Sequence, residues 1–435
     1  MTLKAIRGDF LHCLTDPGSI GDAASVETVH DGVLLVDRGH VVSLLPAVHA
    51  AFGPEVQVED WRGHLIVPGF VDTHVHYPQV DVIASYGTQL LDWLERYTFP
   101  AERRFADRVH ADDAARFFLD RLLENGTTTA AVYCTVHPQS VDAFFTEAAR
   151  RDLRMIAGKV LMDRNCPDDL RDTPASGYAD SRALIERWHG QGRLGYAITP
   201  RFAPTSSPEQ LTLAGRLARE HPDTWIQSHV AENRGEVAWA RELFPEARSY
   251  LDVYDRAGLL RERAVYGHCI WLDDADRARM AGSGAAAAFC PTSNLFLGSG
   301  LYDLAEARAA GMLTGLATDV GGGTSYSMLT TLAEAYKVQQ LLGASLAPAQ
   351  ALYLATLGGA RSLGLDAHIG NFTAGKEADL VVLNRHATPQ LARRTSLAQG
   401  ALDDFFALML LADSRAVAAT YILGERARMA GGQGL

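Results

Sequence analysis

The chain has 435 residues, 47% of them hydrophobic, and a formal net charge of −12. That length holds one large barrel-like domain plus a smaller unit, and the acidic balance argues against a nucleic-acid surface while leaving a small polar substrate open. The five cysteines form neither a CxxC pair nor a regular framework, no apolar run reaches a membrane span, and Met1 to Asp9 is no signal peptide. A soluble, cytoplasmic protein with reduced thiols is expected.

Residues 1–67 read as a small β unit. Asp31 to Asp37 and Gly39 to Leu45 are β-like runs joined by a charged glycine turn, a hairpin signature, with a third run near Val56 to Val67. Leu65 to Phe70 is apolar and broken by Pro68-Gly69, and Val71 to His76 follows as a short strand. From there strands alternate with helices. Ala114 to Leu123 is helical, Thr127 to Tyr133 is a strand after the Asn125-Gly126 turn, and a helix near Ser140 to Arg150 precedes a strand at Met155 to Met162. Ser181 to Trp188 and Pro208 to Glu220 are helices flanking a strand at Leu194 to Phe202. Further strands are predicted at Trp225 to His229, Ala264 to Cys269, Ala286 to Cys290 and Leu313 to Asp319. The count of eight fits a closed (β/α)8 barrel. An open doubly wound sheet is the other possibility, and it normally offers a glycine-rich phosphate loop after its first strand, absent here.

After helices near Ala333 to Leu342 and Pro348 to Leu357, β character returns at Ala378 to Leu383 and Val417 to Leu423, and the glycine-rich tail 431–434 reads as frayed. The expected class is α/β: a TIM-like barrel over 68–369, with a small β-sandwich domain formed by both chain ends, 1–67 and 370–435.

The carboxyl ends of barrel strands build the active site in such a fold. His74 and His76 are one residue apart on a strand and so point the same way. His229 ends the fifth predicted strand, His268 lies near the end of the sixth, and Asp319 ends the eighth. A lone histidine there is ordinarily a hydrogen-bonded core residue. Four of the fifteen histidines with one aspartate, all at one end of the barrel, point instead to a metal. Imidazoles with a carboxylate suit zinc and also ferrous iron, either of which lowers the pKa of water. One ion is expected, because the fourth strand carries no lysine to bridge two; Lys159, on the third, reads as a supporting or salt-bridging residue.

Glu232 follows His229 by three residues, either as a helix N-terminal carboxylate or as a proton shuttle beside the metal. His268 reads as a fourth ligand or as an orienting donor. Asp319 reads as a ligand that also accepts from the reacting water. Val320 to Thr324 is a glycine-rich turn that lets backbone pass close to the metal. Gln79, Arg201 and Phe202 together describe a flat polar heterocycle: an amide edge, a fork of donors and an apolar face. Arg201 could instead form a rim salt bridge, and Phe202 could be a core aromatic. The aromatic segment Asp92 to Glu102 could close over the ring or simply pack the first helix.

Pro68 to His76, His229 with Glu232, His268 and Thr318-Asp319 resemble the site motifs of the amidohydrolase superfamily. Gly370 to Phe372 and Gly375 to Val381 resemble its return into a split β-sandwich. His76 to Gln79, Phe99 to Glu102, Thr199 to Thr205 and Phe289 to Asn294 resemble its guanine-deaminating branch. The resemblance covers nearly the whole chain. It implies zinc-dependent hydrolysis of guanine to xanthine and ammonia, in guanine catabolism, by a homodimer with one ion per subunit. It implies His74, His76, His229 and Asp319 as ligands, and Glu232, His268 and Asp319 as catalytic groups. Gln79, Arg201, Phe202, Glu232 and His268 would then hold the purine. The alternatives are an aminohydrolase of another purine, a pyrimidine or a triazine, and, more remotely, a non-catalytic binding scaffold. A hydantoinase-like hydrolase would need the missing bridging lysine.

Overall fold

The computed structural model describes residues 3–18, 21–53, 56–87 and 89–427; the tail 431–434 lies outside them. The chain divides into two compact units, one of residues 1–71, 120–129 and 326–435, the other of 72–119 and 130–325.

Among the described residues, the terminal unit is built on a mixed seven-stranded sheet. The predicted hairpin forms, longer than its sequence signature, as Val26–Asp37 paired antiparallel with His40–Pro46. Lys4–Cys13, a strand not singled out in the sequence, sits between Val26–Asp37 and Gln57–Pro68, antiparallel to the first and parallel to the second. Leu380–Leu383 then pairs with Gln57–Pro68, so the two ends of the chain meet in one sheet. One face of that sheet buries Ile6, Phe10, Leu34, Leu380, Val382 and Tyr421. Alternation sends Ala5, Val33 and Leu35 into a second cluster on the other face.

The second architecture is a parallel sheet of eight positions: Phe70–His76, Thr127–Tyr133, Arg154–Gly158 with Val160–Leu161, Gly195–Pro200, Trp225–Val230, Ala264–His268, Ala286–Phe289 and Leu313–Leu316. These are all fully or almost wholly buried runs, as strands covered on both sides must be. The sheet closes on itself at the carboxyl end. There the Asp319 N–H donates to the His74 carbonyl at 3.0 Å and the His76 N–H to the Val320 carbonyl at 2.8 Å.

The helices between strands start where sequence chemistry allows. Ser207 caps Pro208–Glu220, its hydroxyl accepting the Gln210 N–H. Thr173 and Ser176 form a capping box that starts Pro174–Trp188 a full two turns before the apolar pattern at Ser181 becomes legible. The third strand breaks at Lys159, whose buried ammonium leaves the ladder to pair with Asp172. It is a salt-bridging residue.

Candidate active site

Three imidazoles converge on one carboxylate. One donor atom from each of His74, His76, His229 and Asp319 lies within 4.8 Å of the others. His76 Nε2 is 3.2 Å from Nε2 of both His74 and His229, and Asp319 Oδ1 is 3.3 Å from Nε2 of both His74 and His76. The His229 Nδ1 lies 2.7 Å from the Arg201 carbonyl. A carbonyl only accepts, so the ring proton sits on Nδ1 and the Nε2 lone pair faces the cluster. Burial pushes the His76 imidazole down to about 3 and holds His229 well below its ordinary value. Ring nitrogens brought this close cannot all satisfy one another, whereas a cation between them would accept their lone pairs. Burial alone would raise the Asp319 carboxyl, but its contacts with His74 and His76 outweigh burial and keep it well below the usual range. The four residues fit a divalent ion of the zinc or ferrous kind.

Their placement depends on two residues the sequence reading passed over. Asp72 shares the face of His74 and His76; its Oδ1 accepts N–H bonds from Thr318 at 3.1 Å and His74 at 3.3 Å, and its Oδ2 accepts the Thr318 hydroxyl. This carboxylate ties the first strand to the turn that presents Asp319. Gly267 lies against the His74 ring, where a Cβ would come within 2.7 Å of it. Asp319 itself has φ +50° and His268 φ +71°, left-handed conformations that aim both side chains inward as their strands end.

His268 stands beside the four-residue set. Its Nδ1 is 2.8 Å from Asn294 Oδ1, and its Nε2 is 3.3 Å from Glu232 Oε2 and 3.8 Å from Asp319 Oδ2. Glu232 Oε1 accepts the Ser299 hydroxyl at 2.9 Å. Burial, then the charge of Asp319, push the Glu232 carboxyl up to about 8, against the donation from Ser299. The carboxylate that caps the following helix, Arg234–Leu243, is not Glu232 but Glu236. Glu236 accepts the backbone N–H of Glu232 at 3.0 Å and of Asn233 at 3.2 Å.

These groups open into a cleft lined also by Gln79, Arg201 and Phe202. Arg201 is buried and ion-paired to Glu102, so its salt bridge lies inside the molecule and not at a rim. Leu90, Trp93, Leu94 and Leu297 form the apolar side. The aromatic segment expected as a closing element or as packing is a run of helical turns, Leu90–Trp93, Leu94–Thr98 and Phe99–Arg103. Its Trp93, Leu94, Phe99 and Ala101 pack with Phe202, Tyr133 and Met162. It is a wall of the cleft.

Residues 65–427 match the model of the amidohydrolase family. The chain belongs to the amidohydrolase family. Guanine deaminase of Escherichia coli K12 is 50% identical over 98% of this chain and 97% of its own length. The solved structure of the E. coli guanine deaminase superposes with a TM-score of 0.96 at 49% identity, covering 98% of this chain and 100% of that one. The guanine deaminase of C. acetobutylicum, solved with guanine bound in its active site, superposes with a TM-score of 0.89 at 25% identity, over 98% of this chain and 100% of that one. In this amidohydrolase His76, Gln79, Arg201, Phe202, His229, Glu232, His268 and Asp319 line one cleft, and His74 lies against His76. Of the supporting residues, Glu236 lines the cleft itself, whereas Asp72, Glu102, Gly267, Asn294 and Ser299 touch residues that line it or hold the cluster. Asp72 carried a signal in its two-residue offset from His74, and Glu102 and Asn294 close two of the resembling motifs.

Proposed function

We propose that the chain hydrolyses guanine to xanthine and ammonia at this cleft. The observation that carries the reading is that one cleft is lined by His76, His229 and Asp319 of the four-residue cluster together with Gln79, Arg201 and Phe202. The guanine deaminases to which the chain is similar supply the substrate. A single zinc ion per subunit, or ferrous iron in its place, held by the three imidazoles and Asp319, would acidify water and polarise the ring carbon.

The chain's own groups do the rest. Gln79 and Arg201 hold the edge of the purine remote from C2, and Phe202 covers a face. Asp319 accepts a proton from the water that adds to C2. Glu232, held by Ser299 at one oxygen and beside His268 at the other, delivers a proton to the adjacent ring nitrogen. The proton taken by Asp319 passes by way of His268 Nε2 to the amino group, the C2 hydroxyl returns its own proton to Glu232 as the carbonyl forms, and the C2–N bond breaks to release ammonia. Guanine and water are consumed, and xanthine and ammonia are formed.

The test is a panel of guanine, adenine, cytosine and amino-triazines, with ammonia measured for each. Ammonia from guanine alone supports the reading. Release from a member of the panel but not from guanine transfers the chain to a sister aminohydrolase, and none from any returns it to a binding role. Among the described residues no helix is long and apolar enough to cross a membrane. A cytoplasmic homodimer is proposed from the family likeness; sedimentation of the purified protein at the mass of one subunit would contradict it.

A further inference from the structure

The geometry points to Glu102 as a positioning residue that turns N–H donors of Gln79 and Arg201 towards the ligand. We infer that it thereby selects purines with an oxo group, over those with an amino group, at the position facing Arg201 and Gln79. The inference rests on the guanine reading and adds the reason for its selectivity.

Glu102 is fully buried on the helix Phe99–Arg103 and does not itself line the cleft. Its oxygens accept from Arg201 Nη1 at 2.9 and 2.8 Å, and Oε1 faces Gln79 Nε2 at 3.4 Å. An ionised carboxylate offers acceptors and nothing else. On the other side of the Gln79 amide, the Gly321 N–H, which can only donate, meets Oε1 at 3.2 Å. The two neighbours therefore dictate which way the amide lies, with its nitrogen towards Glu102 and its oxygen towards Gly321. The loop can come that close because residue 321 has no side chain: a Cβ there would lie 2.6 Å from the Gln79 carbonyl.

What remains for a ligand is the second N–H of Gln79, the other N–H groups of Arg201 and one lone pair on the Gln79 amide oxygen beside the Gly321 N–H. Donors outnumber that acceptor. The ion pair also cancels the guanidinium charge, so an uncharged base needs no counter-anion to bind here. A ring carbonyl meets these donors with acceptors. An amino group would place hydrogen against hydrogen and leave buried donors unpaired, which sites of this kind reject strongly.

The experiment compares guanine with 2,6-diaminopurine, which keeps the reacting 2-amino group and replaces the oxo group by an amine. For the wild-type protein we expect kcat/KM for guanine to exceed that for the diamine by roughly a thousand-fold or more. Comparable values overturn the inference. Glu102→Gln lets the Gln79 amide turn over and removes the charge. It should raise KM for guanine by about ten-fold or more, change kcat little, and shrink the guanine preference by at least about ten-fold. A loss of kcat on both purines with the preference intact would reduce Glu102 to a structural residue. Binding of hypoxanthine against adenine to the wild-type protein separates this inference from the proposed reaction and from any folding defect of the variant. Preference for hypoxanthine upholds the donor selection even if guanine is not turned over; equal binding or a preference for adenine overturns it.

Discussion

Glu232 is the side chain whose loss should separate chemistry from assembly. Its carboxyl touches His268 and Ser299 and lies apart from the four-residue ligand set, so Glu232→Gln keeps the shape and the metal-binding groups. Positioned proton transfer contributes on the order of 10²–10⁴-fold, and kcat should fall by that range with metal content unchanged. Near-normal turnover would remove Glu232 from the proton path. Arg201→Ala makes a different prediction. It strands the buried Glu102 carboxylate, and breaking one side of a buried pair costs about 3–5 kcal/mol, so denaturant unfolding should shift along with KM. An unchanged unfolding midpoint would mean that Glu102 finds water or another donor. The cleft-lining residues His76, Arg201, Phe202, His229, His268 and Asp319 were legible because strand ends are where a barrel keeps its chemistry. Ser299 was not, and Glu102 and Asn294 surfaced only as the ends of resembling motifs without a role, because nothing local in a sequence says that a side chain will be needed behind another one.

At the scale of single elements, the sixth strand and the helix after the fifth carry the sharpest demands. Gly267 has the His74 ring where its Cβ would be. Gly267→Ala should push that ring off its position and lower the metal bound per subunit, measured by elemental analysis; full occupancy would show that the ring has room to give. In the helix Arg234–Leu243, Glu236 is buried and accepts from two backbone N–H groups and from the Tyr250 hydroxyl at 2.6 Å. Burial, followed by the charge of Glu232, nevertheless pushes its carboxyl from 4.5 up to about 7. Because the folded value is the higher one, the stabilisation is full below 4.5 and is lost as pH rises through about 7. Glu236→Gln, which cannot ionise, should flatten the fall in stability over that window by roughly 3 kcal/mol. An identical pH profile in both proteins would contradict it. Capping logic of this kind was only half visible beforehand: the sequence offered a carboxylate at Glu232 for the helix terminus, and the one that caps stands four residues on.

For the whole molecule, alternation of strands with helices was enough to read a closed barrel, since a count of eight leaves few other architectures. What periodicity did not reveal was the strand Lys4–Cys13, between the hairpin strand Val26–Asp37 and Gln57–Pro68, or where the barrel strands end. The eighth leaves its ladder at Leu316, three residues before the predicted end, because the chain must turn through a left-handed Asp319 to bring the carboxylate inward. Chelation should therefore abolish activity while leaving both sheets folded, with far-ultraviolet circular dichroism unchanged and activity restored by added zinc; activity that survives complete metal removal would oppose the metal reading. The account as a whole turns on one assay. Metal-replete purified protein is mixed with guanine, and xanthine and ammonia are followed together. Equal molar amounts of both, at many turnovers per subunit, are predicted; guanine recovered intact, with neither product formed, would contradict the assignment of this cleft.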